Sequence, residues 1–262
     1  MRARGSLDLL GPSTKRALSA LLGGAEVDEA GRFGATNGAA MRIAPVGIAT
    51  PGSDLGVLVD RVVAASWVTH NTGVALAGAA AVAAAVSAGV SGASVREATR
   101  VAVDAAALAA GRGHWVAAAD VAARITWAIG LVAGHEVDAV IGIVYSLVGT
   151  SLATQESVPA AFAVLAAAPE DPWLACRIGA SLGGDCDTIA AIAGAIGGAC
   201  HGVDAFPASA RGTVAQVNHL RMDEIAGDLL MLRELAPRRP ALRRPGLQRP
   251  RLHGPEPGRP DP

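Results

Sequence analysis

Gly183-Gly184-Asp185-Cys186-Asp187-Thr188-Ile-Ala-Ala-Ile-Ala-Gly194-Ala-Ile-Gly-Gly198-Ala-Cys-His-Gly is the most informative stretch of this 262-residue sequence. It places two carboxylates and a hydroxyl within one turn at the head of an otherwise uncharged apolar helix. Three oxygen donors so close together are what a hard cation such as magnesium selects. Aspartate and threonine also favour helix starts, where they cap free amides and complement the positive end of the dipole. Capping needs only one of them, and two carboxylates beside glycines and apolar residues carry a solvation cost that a cation offsets. From spacing alone both readings stand.

Around this segment the composition is that of a helical protein. Hydrophobic residues make up 51% and aromatics 3%, so alanine, valine, leucine and glycine must fill the core. Valine and isoleucine fall within long alanine-rich runs, not in short alternating ones, which argues against a β-rich fold. Helical patterns recur at Pro12 to Leu22, Leu55 to Thr69, Val74 to Ala88, Val95 to Ala110, Val116 to Ala133, Val137 to Ser146, Val158 to Ala168 and Pro172 to Leu182. The Asp185 helix follows, and Gln216 to Leu235 reads as a last amphipathic helix. Short connections predict a single compact multi-helix bundle over residues 1–236. The stretch from Asp28 to Thr50 shows no sustained period and is expected to be a long functional loop.

Charge is unevenly distributed. Residues 237–262 carry seven arginines against Glu256 and Asp261, +5 in all, so the rest of the chain holds −6 of the net −1. Repeated prolines and few apolar residues predict a disordered tail. Without interleaved aromatics that tail does not predict specific nucleic-acid binding. No formal charge lies between His70 and Arg96, a length able to span a bilayer, yet Asn71, Thr72, Ser87, Ser91 and several glycines dilute it. A buried helix ending in a Gly-Ser turn is the expected outcome, with no membrane association. Cys176, Cys186 and Cys200 form no Cys-x-x-Cys pair, and the first residues offer no secretory signal, so a cytoplasmic protein with reduced thiols is expected.

Four ordered stretches carry a family resemblance. Gly183 to Ile196 resembles the C-terminal signature of the ADP-ribosylglycohydrolase family. Thr36-Asn37-Gly38-Ala39-Ala40-Met41-Arg42-Ile-Ala-Pro45 is similar to its Asn-Gly substrate loop, Thr69-His70 to its Thr-His element, and Gln155-Glu156-Ser157-Val158-Pro159-Ala160-Ala161 to the segment that precedes the signature. The resemblance implies an all-α fold and a pair of magnesium ions, with manganese as a substitute. It also implies hydrolysis of a glycosidic bond at the anomeric carbon of an ADP-ribosylated protein or a related ADP-ribose or nucleoside-like compound. Asp185, Asp187 and Thr188 match the metal ligands. Asn37 and Gly38 would contact phosphate or ribose, His70 would bond a substrate phosphate, and Arg42 is a candidate to neutralise an aspartate or phosphate.

The family's second ligand source, an N-terminal Thr-Asp-Asp motif, has no match: before residue 36 the only aspartates are Asp8 and Asp28. The resemblance therefore leaves the general base unassigned and implies an impaired centre. A downstream start, a fragment or a truncated gene would each produce this pattern. The alternative function is a non-catalytic remnant, or a binding protein completed by a partner chain or a separate N-terminal piece. A phosphatase built on Asp-x-Asp is disfavoured, because Ile178 to Gly184 reads as a helix end and a turn where that chemistry wants a buried strand.

Overall fold

The computed structural model describes residues 10–235, and the arginine-rich segment from 237 lies outside them. Thirteen α-helices and no strands are found among the described residues. In chain order they are α1 (Pro12–Leu22), α2 (Val27–Ala30), α3 (Ala44–Ala49), α4 (Leu55–Ser66), α5 (Gly73–Val90), α6 (Val95–Ala110), α7 (Val121–Val132), α8 (Val137–Ile143), α9 (Thr154–Ala167), α10 (Pro172–Ser181), α11 (Cys186–His201), α12 (Ala208–Asn218) and α13 (Met222–Leu235). The all-α bundle expected from the sequence is the fold observed.

Helix α5 is its axis. It is apolar on all sides, and helices α6, α11, α3, α4 and α9 pack around it. By length and composition it could cross a membrane, yet sixteen of its eighteen residues are buried among other helices. Small side chains make this possible. At Gly78 an added Cβ would stand 2.2 Å from Thr154 Cγ2, so α5 and α9 touch where a glycine removes the side chain. Larger residues from the surrounding helices fill what remains, among them Ile125, Phe162, Leu165, Ile189, Ile192 and Ile196, none more than 1% exposed. Fully burying each such side chain contributes about 1.5–3 kcal/mol.

Several boundaries differ from the sequence expectation, each for a local reason. The segment expected to be helical from Val116 starts only at Val121, because Asp120 caps Ala123 N at 2.7 Å and His114 exchanges backbone bonds with Asn71 and Gly73. The helix expected from Gln216 to Leu235 begins only at Met222, after His219 takes a left-handed conformation (φ 52°), and α12 over Ala208–Asn218 precedes it where no helix was expected. The stretch from Asp28 to Thr50 is not wholly irregular. It holds the end of α2, a 3-10 turn at Ala40–Arg42 and α3. On α11 itself, Gly194 faces Cys176 of α10, and Gly198 faces the Phe206 ring beyond its own helix.

Candidate functional site

Three segments far apart in sequence meet at the start of α11. Gly183 and Gly184 both have positive φ, 77° and 64°, a region open to glycine at little cost. This double turn swings the chain so that Asp185 N donates to Thr150 O at 2.7 Å. A Cβ on Gly184 would stand 2.4 Å from that same oxygen. The Thr150 segment is bonded in turn to the Asn37 loop: Asn37 N donates to Leu152 O (3.0 Å) and Thr154 Oγ1 to Ala35 O (2.9 Å). Glu156, at the head of α9, accepts from Ser151 N at 3.1 Å and so fixes this loop rather than facing outward as a reactive carboxylate.

Asn37 is 2% exposed, and its side-chain amide joins the segments. It donates to Ser157 Oγ on α9 (2.8 Å) and to Asp185 Oδ2, a contact between residues 148 positions apart. The chain supplies its own comparison for Asp185. Asp54, Asp120 and Asp171 occupy the same N-cap position on α4, α7 and α10, and each accepts a bond from a backbone N–H three residues on. Asp185 caps nothing on α11. Its carboxylate is turned away from the free amides that an ordinary cap would satisfy, toward the Asn37 loop. Asp187 is exposed, Thr188 is 5% exposed, and neither side chain enters a hydrogen bond or ion pair with the described residues.

His70 sits under the Asn37 loop. Its ring is 1% exposed and lies against Gly38, where a Cβ would stand 2.8 Å from Nε2. Both nitrogens are engaged, Nδ1 with Thr69 Oγ1 at 2.7 Å and Nε2 with Thr36 Oγ1 at 3.2 Å. Arg42 Nη2 donates to Thr69 Oγ1 (3.0 Å) and Thr36 Oγ1 to Ser13 Oγ (2.8 Å). One consistent assignment runs from Arg42 through Thr69, His70 and Thr36 to Ser13, with the ring neutral and protonated on Nε2. Burial, assisted by Arg42, pushes the His70 pKa down to about 4. The ring holds the loop from below, so the direct phosphate contact expected for it is not the role this geometry gives it.

The donors at the α11 start bear on the metal that the resemblance implies. Hard oxygens from two carboxylates and a hydroxyl suit magnesium, which keeps several waters and binds through one or two carboxylates. For two ions the set is short of anions: among the described residues no group of three or more histidines, cysteines, aspartates or glutamates could hold a metal. The residues present fit one hydrated divalent cation.

Sequence reading missed Ser157, Thr150 and Thr36. Ser157 lay inside the quoted Gln155–Ala161 segment, and serine at that place has no chemistry of its own to flag it. His201, beside Cys200, has its Nε2 within 2.8 Å of Pro169 O.

The structure is an all-helical bundle in which an oxygen-rich helix start faces an Asn-Gly loop. The chain belongs to the ADP-ribosylglycohydrolase family, which it matches over residues 1–239, and membership implies a hydrolase of the glycosidic type. It is also similar to YegU of Escherichia coli K12, itself an uncharacterized protein, with 36% identity over 228 residues that cover 87% of this chain and 68% of that one.

Proposed function

We propose that the protein is a magnesium-dependent hydrolase that cleaves the glycosidic bond of an ADP-ribosylated protein or a related ADP-ribose compound. The observation that carries this reading is the orientation of Asp185, which gives up helix capping to face Asn37. Asp185, Asp187 and Thr188 would hold the cation. When bound, magnesium supplies Lewis acidity toward water and the ribose hydroxyls. Asn37 fixes one Asp185 oxygen and leaves the other free to act. Gly38 would present its backbone to the substrate, its missing side chain leaving room for the His70 ring beneath the loop. His70, Thr36 and Thr69 hold that loop in place, and no residue among those described is assigned as the general base.

The test is release of ADP-ribose from arginine- and serine-linked ADP-ribosylated peptides, with magnesium and with a chelator. Asp187→Asn should lower kcat/KM at least 100-fold, about 2.7 kcal/mol in transition-state stabilisation, while the melting temperature holds. Equal rates with and without magnesium would refute the metal dependence. A second reading, a binding protein whose centre is completed by another polypeptide, is favoured by the shortage of anions. Under it the chain alone binds ADP-ribose in calorimetry but releases none from either peptide.

A further inference from the structure

Helices α12 and α13 have no buried residue, yet one side chain of α13 is deeply engaged. Arg233 Nη1 donates to Gly47 O (3.2 Å), Ile48 O (3.1 Å), Thr50 O (2.9 Å) and Ser87 Oγ (3.1 Å). Its Nη2 donates to Ser87 O (3.1 Å) and Ser91 Oγ (2.6 Å). The other side-chain polar contacts of α12 and α13 among the described residues are local, the Arg211–Asp204 ion pair (3.4 Å) reaching only the turn just before α12. The acceptors come from two helix ends. Gly47, Ile48 and Thr50 lie in or just after the last turn of α3, whose carbonyls have no partner within the helix, and Ser87 lies in the last turn of α5 with Ser91 just beyond its end. Two helix C-termini converge there, each with the negative end of its dipole, and Ser87 Oγ ties them by donating to Thr50 O at 2.6 Å. A further acceptor remains at the same place, because the Thr50 hydroxyl is buried without a hydrogen-bond partner.

We propose that the junction of the α3 and α5 C-termini is a guanidinium-binding cup, occupied in cis by Arg233, which fastens the α12–α13 arm to the bundle. Recognition is by uncharged acceptors, since among the described residues no carboxylate touches the head group. A planar fork with donors spread over two nitrogens fits acceptors arranged on both sides, and a lysine ammonium, one compact point, does not reach them all. On α13 only Leu229 and Arg233 are partly covered, one turn apart on the face that meets α3, so the arginine is the principal fastening. The cup is separate from the Asp185 site and does not depend on the reaction assigned to it.

Hydrogen exchange of the full chain tests the fastening. In Arg233→Ala and Arg233→Lys, α13 amides should exchange at least tenfold faster than in the parent, with α5 and α6 unchanged. Vacating the cup should also let it bind the free ion. Guanidinium chloride at 20–50 mM, against equal sodium chloride, should raise the melting temperature of Arg233→Ala and leave that of the parent level or lower. If Arg233→Ala does not fold, Ser91→Ala decides, because it removes one acceptor and leaves the arginine: severalfold faster α13 exchange supports the cup and unchanged exchange overturns it. Unaltered α13 protection in both Arg233 variants, or the same guanidinium response in variant and parent, overturns it as well.

Discussion

His70 shows how much a single buried side chain can say about a site without touching substrate. Its pKa near 4 lies below the ordinary 6.5, because burial and the nearby Arg42 disfavour the charged ring. Above about pH 6.5 folded and unfolded chains both carry a neutral ring, and the full stability is present. Between 6.5 and 4 the unfolded chain takes up a proton that the folded one refuses, so stability falls with falling pH, by about 2–3 kcal/mol in total. Urea unfolding at a series of pH values should show this loss, and His70→Gln, which packs without titrating there, should lack that part of the slope. Parallel slopes would mean that the ring is protonated in the folded state. At this scale Asp185, Asp187 and Thr188 stood out as chemistry from residue type and spacing, whereas Asn37 and His70 were picked out only through the family resemblance. The direction each side chain takes was not, because capping and site orientation have the same sequence pattern and are separated only by what packs opposite.

Between elements, one hydrogen-bond exchange stabilises the wall behind the site. Pro159 lies inside α9, where it has no N–H for the carbonyl of Gln155. Arg124 of α7 supplies the missing donor: its Nε bonds Gln155 O at 3.0 Å, its Nη2 bonds Val148 O, and its guanidinium lies 4.6 Å from the Trp127 ring centre. These contacts hold both ends of the loop that carries Thr150 toward Asp185. Arg124→Met should therefore cost about 1–3 kcal/mol by leaving carbonyls without partners. In a Pro159→Ala background the restored N–H should reduce that cost by about 1 kcal/mol, readable as a coupling energy in a double-mutant cycle of urea midpoints. Additive effects would show that the proline and the arginine act independently. The longer helices, α7 and α9 among them, were plain from periodicity, whereas α2, α3 and α12 were not read as helices. The ends were set by Asp120, His219 and the partners of Thr154, contacts that a one-dimensional pattern does not contain.

For the molecule as a whole, small residues set the spacing of the bundle. Gly78→Ala puts a methyl against Thr154 where α5 crosses α9, and should lower stability by about 1–3 kcal/mol in thermal or urea unfolding, a larger loss than at exposed Gly130, where nothing lies within 4 Å. Equal losses at the two positions would show that α5 and α9 are not in tight contact. The composition, rich in alanine and poor in aromatics, announced this close packing, and the order of the elements announced a bundle. Which helix lies at the centre was harder to read, since a chain with no polar face suits the middle of a protein and a lipid bilayer equally well. The central place of α5 also has a consequence for biosynthesis. Residues 73–90 leave the ribosome well before α9 and α11 have been translated, so every nascent copy passes through a stage in which α3, α4 and α6 cover the greasy rod on some sides and the sides that α9 and α11 will take are bare. Its safe passage depends on chaperone cover or on the pace of translation through the next hundred codons.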